Sequence, residues 1–168
     1  MNGEGIQGSV EAQLASLEDR MASAAITKLN ALGTIMVRAY DVSTDLYSSS
    51  AASNCNVTID LTTNPITAIA IEEGHGQIEL HMTLTNAIDI PFVTGSGGPA
   101  PTQTMNAFGV QLGSLKDASN ATVYALSGNF VRAGWNYFLV HGDGSKGLHN
   151  PRFVQGVLNA SLARDLSN

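Results

Sequence analysis

The chain has 168 residues, a formal net charge of −6, and 13% charged against 43% apolar residues. That balance argues against nucleic acid and anionic membrane surfaces as partners, since both need clustered Lys and Arg. No run of about eighteen apolar residues is present to cross a bilayer, so membrane insertion is not expected.

From Ser9, a plausible N-cap, Val10, Leu14, Leu17, Met21 and Ala24 recur at steps of three and four, and Ala25, Leu29 and Leu32 continue the stripe. This predicts a helix of about six turns ended by Gly33, a residue favoured just past a helix C-terminus. Met1 to Val10 lacks the basic and apolar regions of a signal peptide, which taken literally places the chain in the cytoplasm.

From Thr34 to Leu126 the period changes to two. Ile35, Val37 and Ala39 alternate with polar positions, as do Cys55, Val57, Ile59 and Leu61. Ile66 to Ile71 is a short apolar run. Ile78, Leu80, Met82 and Leu84 alternate again, then Ile88, Ile90 and Phe92, where Pro91 suggests an edge strand. Phe108, Val110 and Leu112 follow, and Ala121 to Leu126 is the last candidate. About seven short strands separated by turns read as an antiparallel β-sandwich, of which the immunoglobulin-like arrangement is one form. The segment from Thr94 to Gln103 reads as an exposed loop.

Phe130 to Val140 fits a helix with Val131, Trp135, Phe138 and Leu139 on one face, and fits a strand equally. Asp143-Gly144-Ser145-Lys146-Gly147 is a turn cluster. Asn150 and Pro151 supply an N-cap and a first helical residue, and Val154, Val157, Leu158 and Leu162 continue as an amphipathic helix with Phe153 beside them.

Trp135, Asn136, Asp143, Ser145, Gly147, Leu148, His149, Asn150 and Pro151 together resemble the C-terminal signature of bacterial multihaem c-type cytochromes. That signature is an aromatic, Asn-rich helix, an Asp-x-Ser-x-Gly-x-His-Asn-Pro turn and an apolar helix. Gly5-Ile6-Gln7 and the helix after it resemble the segment following the last haem site. The resemblance implies that Phe130 to Val140 is helical. It also implies an extracellular or periplasmic location, a haem-bearing cytochrome region or subunit as partner, and His149 as a candidate axial ligand to a haem outside this chain. The chain departs from the family at its central chemistry. Covalent haem attachment needs Cys-x-x-Cys-His, and the one cysteine, Cys55, is followed by Asn-Val-Thr. No haem cofactor is therefore expected in this chain by itself.

The expected architecture is α+β: a β-sandwich over 34–126, inserted between an N-terminal helix and two C-terminal helices, with 1–33 and 127–168 packed together. The expected role is a non-catalytic structural or interaction module of a multihaem cytochrome electron-transfer system. The alternative is an independent secreted β-sandwich that binds a carbohydrate or a protein. A homo-oligomer is compatible with either. No nucleophile elbow, phosphate loop or zinc signature occurs. His141 with His149 and Asp143 is too thin a ligand set for a metal. Glu79 and His81, with Glu72, Glu73 and His75 nearby, are expected on a solvated sheet face. Cys55 is expected as a buried, inert thiol, and Trp135 as helix-packing core.

Overall fold

A computed structural model describes residues 3–123, 128–144 and 150–162. The elements in chain order are α1 (Gly3–Ala31), β1 (Thr34–Tyr40), β2 (Val57–Asp60), β3 (Ile66–Gly74), β4 (Gln77–Val93), β5 (Pro99–Asp117), α2 (Gly128–His141) and α3 (Pro151–Ala160). The chain divides into two compact units. One holds residues 1–24 of the chain with α2 and α3. The other, residues 25–125, holds the last part of α1 and the sheet. The division falls inside α1.

The fold is α+β, and among the described residues five antiparallel strands form one sheet, ordered β2-β1-β5-β4-β3. This differs from the seven strands in two sheets that the alternation suggests, and the reason is strand length. The stretches 78–84 and 88–92 are both parts of β4, which pairs with β5 on either side of a register shift between Thr83 and Ile88. Of the last candidate strand, only a bridge from Thr122 to Lys116 forms among the described residues. Pro99 to Gln103, expected in a loop, opens β5, and the loop is confined to 94–98. Pro91 and Pro101 are tolerated because β3 pairs with β4 only as far as Leu84, and β1 meets β5 only from Gly109 onward. Each proline thus lies where its strand has a neighbour on one side only.

The alternation is otherwise obeyed except at Cys55, Ile88 and Leu112, which are half-buried, and at Gln111, which is buried. Ile35, Val37 and Ala39, Ile69 and Ile71, Ile78, Leu80, Met82 and Leu84, Phe108 and Val110 are all buried. Their registers place them on one face, since Val110 opposes both Ala39 and Leu80, and Met82 opposes both Ile69 and Phe108. Ala25 and Leu29 of α1 are fully buried in the same unit.

The sheet must curl. β2 and β3 are its opposite edges, which stand about 19 Å apart in a flat five-stranded sheet. Only residues 61–65 join them, and Asn64 N–H donates back to the Asp60 carbonyl at 3.0 Å, which uses up most of that reach. Two Asn side chains hold the corner. Asn30 exchanges two hydrogen bonds with the backbone of Ile66, and Asn64 does the same with Asn86.

In the helical unit, α1 buries Val10, Leu14, Leu17 and Met21 along one stripe. The helix starts well before Ser9, at Gly3. α2 buries Phe130, Ala133, Gly134, Tyr137 and Val140. This corrects the expected face, and with it the expected burial of Trp135, which is 44% exposed. α2 is apolar on most of its circumference, so its periodicity allows several faces. α3 buries Val154 and Leu158. Tyr137 donates to Glu18 at 3.0 Å, and Gln13 to Asn159 at 3.1 Å.

Candidate functional site

The outer face of the sheet carries a polar network that begins with a cross-strand row. Register sets Tyr40 of β1 opposite Gly109 of β5, and Gly109 opposite His81 of β4. A Cβ at Gly109 would run into the Tyr40 ring. The missing side chain therefore lets the phenol lie across β5 and reach β4. There Tyr40 Oη donates to Glu79 Oε2 and lies 2.9 Å from His81 Nε2. With the Tyr40 proton given to Glu79, His81 Nε2 must be the donor in the second bond.

Glu79 is only 3% exposed, which corrects the expectation of a solvated position. Alternation assigns it to the outer face correctly. Tyr40 and the β3–β4 turn then cover that face. The turn is a two-residue hairpin loop, His75-Gly76, with φ of +50° and +72°. Both positive values fit the type I′ turn that matches strand twist. His75 in a left-handed conformation costs roughly 1–2 kcal/mol. In return its Nδ1 sits 2.6 Å from Glu79 Oε1. Gly74 leaves room here too, since a Cβ there would make the Glu79 carboxyl group shift.

The loop after β1 completes the network. Tyr47 bridges to Tyr40 and to Val93, and its ring lies 5.3 Å from that of Tyr40. Its hydroxyl is 3.3 Å from His75 Nε2, and Asp45 Oδ1 is 3.4 Å from the same nitrogen. Arg38 stacks its guanidinium 3.8 Å above the Tyr47 ring and donates from Nε to the Ser49 carbonyl at 2.7 Å. Asp41 anchors the loop, accepting from Ser43 N–H and Oγ and from Thr44 Oγ1.

Burial, reinforced by the Glu79 bond, raises the Tyr40 pKa well above that of an ordinary phenol, so Tyr40 keeps its proton, donating to Glu79 while its oxygen accepts from His81. The bond to Glu79 raises the His75 pKa, and Asp45 adds to the effect. Hydrogen bonds from Ser43 hold Asp41 below the usual carboxylate range. The arrangement orients groups and holds protons in place. Beside it opens a cleft of about 300 Å³, lined by Arg38, Asp45, Tyr47, Ser49, Ser50 and Thr94 among others. Among the described residues no three His, Cys, Asp or Glu side chains converge as metal ligands.

The positions singled out in the sequence lie in the helical unit. Asn136 donates to Ser161 Oγ at 2.9 Å, and Asn150 caps α3 by accepting from Phe153 N–H at 3.3 Å, with Pro151 in the first turn. His141 stacks on Tyr137 at 5.4 Å in the last turn of α2, two residues before Asp143. Ser145, Gly147 and His149 lie outside the described residues. Cys55 is half-buried, with Sγ 3.1 Å from the Ser114 carbonyl, and burial pushes its thiol pKa up. Sequence reasoning missed Tyr40, Tyr47, Arg38 and Asp45. The available signal was glycine inside strands, at Gly74 and Gly109, which marks close approach of another group.

Fold and network together define an α+β protein whose single curled sheet carries a Tyr–Glu–His cluster on its outer face. Comparison with family models, curated proteins and solved structures finds no match to this chain.

Proposed function

We propose that this chain is a non-catalytic interaction module of an extracellular or periplasmic multihaem cytochrome electron-transfer system. It binds no haem by itself and docks on a haem-bearing region or subunit through its helices. The observation that carries this reading is the exposed apolar face of the helical unit. Trp135 and Leu139, one turn apart on α2, are 44% and 58% exposed, and Phe153 on α3 is 55% exposed. Fully burying a side chain of this size is worth roughly 1.5–3 kcal/mol, so a partner covering them would gain considerably. Phe153 lines a groove of about 530 Å³ together with Arg132, Asn136 and Arg152 among others. Apolar surface flanked by arginines suits a haem edge, which is a flat apolar ring bearing two carboxylates. The resemblance at Trp135, Asn136, Asp143, Asn150 and Pro151 supports the same partner.

Trp135 is the only tryptophan and so reports on docking directly. Titration with a purified multihaem c-type cytochrome from the same source should quench its emission, because haem absorbs where tryptophan emits. Leu139→Asp combined with Phe153→Ser should abolish the quenching. Unchanged emission, with no co-elution of the two proteins, would overturn the reading.

A second reading, an independent binding domain for a carbohydrate or protein partner, is favoured by the cleft at Arg38 and Tyr47. The two readings separate on which variants lose binding: those on α2 and α3, or those in the cleft.

A further inference from the structure

The cleft beside Tyr47 holds a cation, Arg38, that is not salt-bridged to the one carboxylate of the lining, Asp45. Arg38 uses Nε on the Ser49 carbonyl and its face on Tyr47, and among the described residues no carboxylate pairs with it. Its unit is otherwise acidic: within residues 25–125 only Lys28, Arg38 and Lys116 are basic, against eight Asp and Glu. In such surroundings a guanidinium held in place by stacking and a backbone bond, with its outer nitrogens uncommitted, is poised for a ligand. Its planar fork matches a carboxylate in two parallel hydrogen bonds.

The remaining lining joins the hydroxyls of Ser49, Ser50 and Thr94 to the apolar side chains of Leu46 and Val93. Ser49 Oγ accepts from Ala51 N–H, which leaves its own proton to donate. Ser50 is exposed at the rim, and the hydroxyl of Thr94 is held in the 94–98 turn by Gly98. Asp45 offers carboxylate oxygens to a ligand hydroxyl while its Oδ1 faces His75. At about 300 Å³ the cleft admits one small ring rather than a chain. Tyr47 carries Arg38 on one face and leans on Tyr40, so it forms a wall rather than an open stacking platform.

We propose that this cleft binds a single sugar-acid residue of the uronic type, its carboxylate on Arg38 and its ring hydroxyls on Asp45 and Ser49. This deepens the carbohydrate-binding reading and rests on it, and is independent of the haem-docking one. A dianion such as phosphate fits less well, because Asp45 shares the cleft.

The test is titration of the whole chain with glucuronate, glucose, acetate and inorganic phosphate, followed by calorimetry and by chemical shifts. Saturable binding of glucuronate is expected, with glucose and acetate each weaker. Arg38→Gln should weaken glucuronate by roughly tenfold or more, the loss of one charge-assisted bidentate contact. Ser50→Asp, at an exposed position that leaves folding intact, should weaken it similarly by adding a negative charge at the rim. Glucose binding as well as glucuronate would overturn the sugar-acid assignment while leaving the carbohydrate reading standing. Failure of both sugars would end both. Phosphate or acetate binding as well as glucuronate, or Ser50→Asp binding like the parent, would reduce the cleft to a simple anion site or to none.

Discussion

Asn30, in the last turn of α1, and Ile66, the first residue of β3, exchange two hydrogen bonds of 3.0 Å each. The Asn30 amide donates to the Ile66 carbonyl and accepts from its N–H, acting as one peptide of a missing neighbouring strand. Asn30→Ala leaves both backbone groups without that partner and should cost about 1–3 kcal/mol. Urea unfolding measures it, and an unchanged midpoint would show that water replaces the side chain at no cost.

Gly109→Ala forces the Tyr40 ring off β5, an overpacking change that should destabilise by about 1–3 kcal/mol. In the Tyr40→Ala background the obstacle is gone, so the same change should cost far less. A double-mutant cycle reads the coupling directly, and additive effects would mean that the ring and the glycine do not act together.

The His75 pKa is raised above its ordinary 6.5. Its pairing with Glu79 and Asp45 therefore contributes fully below about pH 6.5 and is lost as pH rises through the folded-state value. The Asp41 pKa is lowered from 3.8. Its contribution is present above that value and disappears as pH falls through the folded-state one. His75→Gln should flatten the decline in stability on the alkaline side only. An imidazole resonance of His75 that titrates below 6.5 would contradict this.

Trp135→Ala should cost about 1 kcal/mol or less, as surface positions do, rather than the roughly 3–5 kcal/mol of a core tryptophan. Its emission should lie well to the red of a buried indole. Asn150→Ala should lose about 1 kcal/mol, the usual worth of an N-cap. With one cysteine the purified chain should carry no covalently attached haem, and haem surviving acid-acetone extraction would refute that.

Strand alternation makes the inner face of the sheet readable from the sequence. Ile35, Val37 and Ala39 are buried as their spacing predicts, and so are Ile78, Leu80, Met82 and Leu84. What stayed hidden depends on register between distant segments. Tyr40 meets Gly109 and Glu79 only because β1 lies beside β5 and β5 beside β4, and no local window contains that information. Glu79 looked solvated for the same reason, since its cover arrives from Tyr40 and from a turn with a left-handed His75. On α2, Val131, Trp135, Phe138 and Leu139 made as good a stripe as the one actually buried, so packing partners decided the face.

β1 is flanked by β2, its near neighbour in sequence, and by β5, whose Asp117 pairs with Ile35. About 80 residues separate those two positions. At a synthesis rate of about 5–20 residues per second, the ribosome delivers the second partner roughly 4 to 16 seconds after the first residues of β1 emerge. Until then one side of a strand destined for the middle of the sheet stays open to any passing chain. The nascent protein therefore carries an aggregation hazard while β1 waits for β5, and a slowly translated β5 would prolong it.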